Sequence, residues 1–435
     1  MANFNEAKTV LIVGAGNFGA ATALYLATHH KDKAVTLVDK TDLANPCAAS
    51  HDINKIVRDE YDDPLYMRLM LEAMPLWRSD ALYSPFFHQV GMLRADPTAY
   101  GEGSLRTYRA LGVEPPAVWL SVDEVRRRWN GVFADANFGG LEKIMFNPGS
   151  GWAEADHALD AVLRAARDEG ARYHKGCVGG VEFDREGTCT GVRLDSGERL
   201  TADVVLLCTG ARTAELLAAS QPDRPEFHLG NRAVATGAMS FAGTLKGAQR
   251  ERFRNVPVCK NVVGGIKGWC GGESMSMTPD GIIKFNCDMG FTNMQHHEAS
   301  RQKMSTTPDE AMHGTWHEEA FSEKFKARAL STMKELYGKE MDGVEIDRYR
   351  MCWDAVTPTH DFLITRHGQS ANLYLATGGS FHGWKFLPVI GKYITKMMEG
   401  TLDVEVAKRW GWDMDDVQCR ANPTYDTEFD LPAYM

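Results

Sequence analysis

The chain begins with a continuous apolar run, Val10 to Val13, that ends in Gly14-Ala15-Gly16-Asn17-Phe18-Gly19. It then passes into the helical spacing of AATALYLATHH, a second apolar run (AVTLV) and a terminal Asp39. Uninterrupted apolarity over so few residues predicts a strand buried on both faces, and the alanine–leucine spacing after it predicts a helix packed on that strand. Two later segments repeat the idea. After Gly151, Trp152-Ala153-Glu154-Ala155 opens ADHALDAVLRAARDEGARY, a helix with one apolar face, followed by alternating strands GGVEFDR and EGTCTGVRLDSGERLTADVVLLCTGA with turns at Glu186-Gly187 and Ser196-Gly197. Near the carboxyl end, NLYLATGG predicts a strand and glycine turn, and FLPVIGKYI the helix that follows. The stretches between are strand-rich with scattered aromatics, and no internal repeat or low-complexity linker separates them. The pattern therefore predicts an α/β (α+β) chain in which residues 1–90, 151–221 and 346–435 build a Rossmann-like nucleotide domain. Residues 91–150 and 222–345 build an interleaved antiparallel-sheet substrate domain.

The glycines give the first domain its chemistry. Gly14 permits a tight turn, Gly16 lets backbone approach a pyrophosphate, and Gly19 lets helix pack closely on strand, while the amides of the helix start face the phosphates. Asp39 stands 20 residues beyond Gly19, placed to accept from a ribose hydroxyl and to repel a 2′-phosphate, with Lys40 beside it softening the repulsion. A nicotinamide enzyme needs one such turn. Here Gly378-Gly379 before the last helix and Thr209-Gly210-Ala211 after VVLLC add two more, which points to FAD.

Composition narrows the partners. A net charge of −10 without a long basic run argues against nucleic acid and anionic lipid, and leaves small molecules. Nine cysteines without a CxxC pair fit a reducing compartment and suggest no metal site. The amino-terminal MANFNEAKTV has no signal-like apolar stretch and no run approaches a membrane span, so the expectation is a cytoplasmic monomer or small homo-oligomer.

Six segments, in family order and spacing, make the chain resemble the monomeric sarcosine oxidase and fructosyl amino acid oxidase (amadoriase) group across nearly its whole length: GAGNFG with Asp39, HDINKIVR at 51–58, SGWAEA at 150–155, IIKFNCDMGFTN at 282–293, MCWDAVTPTHDFLITRHG at 351–368 and GGSFHGWKFLPVIG at 378–391. The resemblance implies the two-domain architecture of glutathione reductase and D-amino acid oxidase. It also implies oxidation of the C–N bond of a secondary amine by FAD, with oxygen as acceptor and an imine or iminium and hydrogen peroxide as products.

Residue by residue, the resemblance implies covalent attachment of FAD through Cys352. Lys284 is placed over the flavin as the group that stabilises reduced oxygen species, Lys55 on its N5 side and Lys385 toward its pyrimidine end. Further cofactor contacts fall on Gly14, Gly16, Asn17, Phe18, Gly19, Asp39, Lys40, Ser50, Val178, Gly210, Gly379, Phe381, His382 and Gly383. Arg58 matches the arginine that grips a substrate carboxylate through its bidentate fork, and an ion pair with Asp59, Glu60 or Asp62 is the alternative use for it. His382 stands where the fructosyl enzymes carry an arginine, and Asp288 where they carry a glutamate, so substrate contacts are read at Arg58, Asp288, Trp269 and His382. Trp269, Phe285 and Trp384 are candidates for the walls of an amine pocket, whereas Cys287 and Met289 read as packing. An N-methyl or other N-alkyl amino acid is the expected substrate. A fructosyl amino acid, or an alkaloid-type amine whose iminium closes a ring, is the alternative.

Overall fold

The structure is a computed structural model that describes residues 4–264, 271–308, 321–413, 427–433 and 435. Five parallel strands form a nucleotide-type sheet in the order Leu373–Thr377, Val204–Leu207, Thr9–Val13, Ala34–Asp39 and Arg172–Lys175, and Leu363–Arg366 adds an antiparallel edge. Thr9–Val13 sits among them with every residue from Val10 onward buried, which is why its sequence does not alternate. The turn into helix Asn17–His29 requires its glycines. Gly14 has φ +101°, and a Cβ there would lie 2.4 Å from the Cys208 carbonyl oxygen. A Cβ on Gly19 would lie 1.9 Å from the Gly14 oxygen. Helices Ala155–Asp168 and Ile390–Glu399 pack against Asn17–His29, so the three segments with strand–turn–helix character meet in one layer.

A second, 10-stranded sheet runs beside this unit. Its long strand Val234–Thr244 pairs with Ile346–Val356 along one edge and with Ile282–Cys287 on the other. Gly272–Ser274, Val258–Asn261, Met92–Ala95, Lys143–Asn147 and Val118–Ser121 continue outward from Ile282–Cys287. Ile346–Val356 therefore lies in the large sheet, and the chain re-enters the nucleotide sheet only at Leu363–Arg366. Alternation sorts its side chains. Phe241, Ile283, Phe285, Met351 and Trp353 enter an apolar core that helix Glu323–Tyr337 closes, with Phe241 stacked on Phe285 at 5.1 Å. An aromatic pair of this kind contributes about 0.5–1.5 kcal/mol beyond its burial. Their neighbours Ser240, Lys284, Asn286 and Cys352 face the other way, toward the nucleotide unit. No helix among the described residues is long and apolar enough to cross a membrane.

Candidate active site

Between the two sheets lies a cavity of about 1260 Å³. Its dinucleotide end is backbone. Gly16, Asn17, Asp39, Ser50, Val178 and Gly210 line it, and the first turn of helix Asn17–His29 has no side-chain cap, which leaves its amides for an outside acceptor. A Cβ on Gly16 would come within 3.0 Å of Ser50 Oγ. Asn17 Nδ2 donates to the Gly383 carbonyl at 2.9 Å and so ties the first glycine turn to the last, while its buried Oδ1 has no partner among the described residues. Asp39 accepts from the amides of Ala15 and Lys40, both at 2.7 Å, and burial raises its pKa above the ordinary carboxylate range.

The turn after Thr377 is held from the large sheet. Asp354 Oδ2 accepts from the Phe381 amide at 2.8 Å, and a Cβ on Gly379 would lie 2.9 Å from the same oxygen. Ser380 and Phe381 take φ of 47° and 57°, a left-handed conformation that costs a non-glycine residue roughly 1 kcal/mol or more. Two residues before Asp354 on the same strand face, the nearly buried Cys352 lines the cavity. Cys47, Cys177, Cys208 and Cys287 line it too, with burial raising the thiol pKa of Cys177 and Cys208.

Three ionic clusters occupy the rest of the wall. In the first, Lys284 Nζ donates to Asp52 Oδ2 at 2.6 Å and to the Asn54 carbonyl at 2.9 Å, while Lys55 and Arg350 approach the same carboxylate oxygen at 3.2 and 3.3 Å. Burial alone would raise the pKa of Asp52, but Lys284, Lys55 and Arg350 outweigh it and hold the carboxyl well below its usual range. Burial lowers the pKa of Lys284, opposed by Asp52. In the second, Tyr61 is the hub. Lys385 Nζ donates to its hydroxyl at 3.1 Å, His382 Nδ1 lies 3.2 Å from that hydroxyl, and the Arg58 guanidinium lies 4.4 Å from the centre of its ring. His382 Nε2 faces the His360 carbonyl at 2.8 Å and must carry the proton, so Nδ1 accepts from Tyr61. Burial, then Lys385, holds His382 neutral, and burial with Arg58 pushes the Lys385 pKa well down.

The third follows from register. Arg94, Lys260, Glu273, Asn286, Ser240 and Arg350 are successive cross-strand partners and form one polar row across the large sheet. Ser240 donates to Asn286 at 2.6 Å, Asn286 to Glu273 at 2.7 Å and Lys260 to Glu273 at 3.1 Å, with Asp288 3.7 Å from Lys260. Burial, opposed by Lys260, raises the Asp288 pKa to about 6, whereas Lys260 and Asn286 overcome burial and hold Glu273 at about 2.

Residues 9–397 match the FAD dependent oxidoreductase (DAO) family. The chain belongs to that family. It is 26% identical over 425 residues to L-saccharopine oxidase of Schizosaccharomyces pombe, covering 94% of each chain. It is 27% identical over 480 residues to amino acid oxidase fsqB of Aspergillus fumigatus, covering 88% of this chain and 91% of that one. Among solved structures it is similar to a thermally stable mutant of fructosyl peptide oxidase, with TM-score 0.82, 27% identity and 98% of both chains covered. The fructosamine oxidase amadoriase II of Aspergillus fumigatus in complex with FSA gives a TM-score of 0.79 at 26% identity, covering 95% and 91%.

FAD is thus the cofactor, and the dinucleotide end fits it: an uncapped helix start, a glycine cradle and an unpartnered buried amide oxygen suit a diphosphate, and Asp39 suits a ribose. Every cofactor and substrate residue read from the sequence lines the cavity except two. Gly19 packs helix on strand behind it, and Trp269 lies outside the described residues. Phe285 is likewise no pocket wall, because strand alternation turns it into the core against Phe241, whereas Trp384 lines the cavity and stacks on Trp77. Sequence reading missed Asp52, Tyr61, Arg94, Lys260, Glu273 and Arg350. A signal existed for some: Arg94 and Lys260 are lone charges inside apolar strands, MLRA and VCKN, and Asp52 precedes the INK of a segment already singled out.

Proposed function

We propose that this FAD-dependent enzyme oxidises the C–N bond of a secondary amine, an N-methyl or other N-alkyl amino acid, to an imine or iminium, with oxygen as acceptor and hydrogen peroxide as co-product. The observation that carries the reading is the pair Arg58 and Lys385, both close to Tyr61, on the wall of the cavity that also holds the dinucleotide cradle. Two cations around one aromatic hydroxyl suit a carboxylate, and a neutral His382 beside them offers no competing charge. Bound FAD supplies the two-electron acceptor. Lys284, Lys55 and Arg350, which share Asp52 as a counter-ion, keep positive charge beside the site where reduced oxygen species need it. The relatives named as saccharopine, sarcosine and amino acid oxidases fit this class. A fructosyl amino acid is the second reading, favoured by the buried Asp288 Oδ2, which has no hydrogen-bond partner among the described residues and can accept from a hydroxyl.

Cys352 is the residue we place in a thioether to the cofactor, because it sits on the strand face that leads to the Asp354-held turn. Acid precipitation tests this: wild type gives a yellow pellet, and Cys352→Ala a colourless pellet with flavin in the supernatant. Anaerobic titration tests the reaction. Bleaching by N-alkyl amino acids and not by fructosyl amino acids supports the first reading, the reverse selects the second, and bleaching by neither sinks both. In Lys284→Met, bleaching persists while colour returns on admitting oxygen roughly 100–1000-fold more slowly.

A further inference from the structure

At the far end of the polar row, Arg94 occupies an unusual position for a buried cation. It lies on strand Met92–Ala95, is 6% exposed, and lines the same cavity as Lys284 and Lys385. The flat face of its guanidinium rests on the Tyr100 ring, 3.9 Å from the centre. Its ion pair with Asp96 is long, 3.6 Å, and its buried Nε–H has no hydrogen-bond partner among the described residues. A buried guanidinium normally has its donor fork satisfied. The contrast with Arg58 is direct. Arg58, near the same tyrosine, donates to the Tyr100 hydroxyl at 2.8 Å and to the Glu60 carbonyl, and pairs with the Glu60 carboxylate at 3.7 Å.

Register fixes how far Arg94 stands from the chemistry. Lys260 and Glu273 separate it from Asn286 in the row, so three strand spacings, roughly 14 Å, lie between the Arg94 and Asn286 backbones. Lys284 is two residues from Asn286 on the same strand face. A group held by Arg94 is therefore several bonds from a C–N bond oxidised beside Lys284, and distinct from a carboxylate held at Arg58 and Lys385.

We infer that Arg94 binds a second, distal carboxylate of the substrate, so that the substrate class is an N-substituted amino acid whose substituent itself ends in a carboxylate. The inference rests on the amine-oxidase reading above and narrows it. The planar fork, set against the Tyr100 ring on the cavity wall with its Nε–H unpartnered among the described residues, suits a bidentate carboxylate. Asp96, at ion-pair distance only, orients the guanidinium without satisfying it.

Two non-oxidisable ligands isolate the binding step: a dicarboxylate thioether, with sulfur in place of the amine nitrogen, and the same molecule with its distal carboxylate as a primary amide. By calorimetry on the holoenzyme, wild type is expected to bind the dicarboxylate roughly 10–100-fold more tightly than the amide. Arg94→Gln abolishes the difference, leaving amide affinity within about threefold, and Arg94→Lys, which keeps the charge without the fork, restores only part of it. Equal affinity of wild type for the two ligands overturns the proposal whatever the variants do, as does an equal loss for both ligands in Arg94→Gln. Anaerobic bleaching by the matching amines separates the two readings. Bleaching without discrimination sinks the distal subsite alone, whereas discrimination without bleaching upholds the Arg94 subsite and sinks amine oxidation.

Discussion

Two buried ionic clusters on this cavity use the same chemistry in opposite proportion. Around Asp52, one carboxylate serves three cations, Lys284, Lys55 and Arg350. Around Lys260, one ammonium serves two carboxylates, Glu273 and Asp288. The surplus decides what each can do. Excess cation drives the Asp52 pKa down and leaves a positive patch on the cavity. Lys260 and Asn286 keep Glu273 ionised, while burial, with Glu273 adding to it, raises the Asp288 pKa to about 6. A pocket with both offers a fixed positive field at one place and a carboxyl that titrates below neutral pH at another.

The largest effect expected from breaking this contrast is at Asp52. Asp52→Asn keeps the shape and removes the carboxylate paired with Lys284, leaving three cations close together, two of them with side chains 1% exposed. Removing one partner of a buried pair costs about 3–5 kcal/mol, to be read as a lower unfolding midpoint in denaturant at pH 7. The sign with pH follows from the lowered pKa. The stabilisation by Asp52 is present above the ordinary carboxylate pKa and is lost as pH falls through the folded value, so the gap between wild type and variant narrows only in acid. A gap under about 1 kcal/mol at pH 7 would show that the cations relax into water without their counter-ion.

The second cluster predicts the opposite slope. Asp288 has a raised pKa, so the folded protein holds a proton that the unfolded chain has lost. Stability therefore falls as pH rises from about 4 to about 6, by on the order of 3 kcal/mol. Asp288→Asn carries no such proton, and its stability is expected to be flat relative to wild type's decline across that window. Parallel pH–stability curves for the two proteins would refute the assignment of the titration to Asp288.

These clusters also mark where sequence reading succeeds and stops. The dinucleotide end was legible because it is built from backbone: Gly14, Gly16 and Gly19 are demanded by contacts with Cys208, Ser50 and Gly14 itself, and backbone demands leave a local signature. Lys284, Cys352 and Lys385 were legible through their segments' resemblance to a family. Asp52, Glu273 and Arg350 were not, because their roles arise from partners distant in sequence, 298 positions apart in the case of Asp52 and Arg350, that only the fold brings together. Phe285 stood as a candidate for either pocket wall or core for the same reason: spacing of 2 along a strand says which residues share a face, and only the fold says which face is the core. Trp269 remains a sequence expectation.

Tyr61 gives the smallest effect and the finest test of the comparison, since there a hydroxyl is shared by Lys385 and His382 beside Arg58, whose carboxylate partner is Glu60 at 3.7 Å. Tyr61→Phe removes an acceptor from Lys385 and a donor from His382 Nδ1 while keeping the ring on which Arg58 rests, a loss of about 1 kcal/mol. A substrate carboxylate binds the charged form of Lys385, so affinity falls as pH rises through the Lys385 pKa, which burial and then Arg58 already depress. Without the tyrosine hydroxyl the ammonium is held less well, so KM for the amino acid is expected to rise roughly 3–10-fold and its alkaline rise to begin at lower pH, with kcat nearly unchanged. A purely structural role for Tyr61 would lower flavin content and leave the position of that pH limb where it is in wild type. A shift of the limb with full flavin content would instead place the hydroxyl in the electrostatics of carboxylate binding, as a neutral counterpart to Asp52.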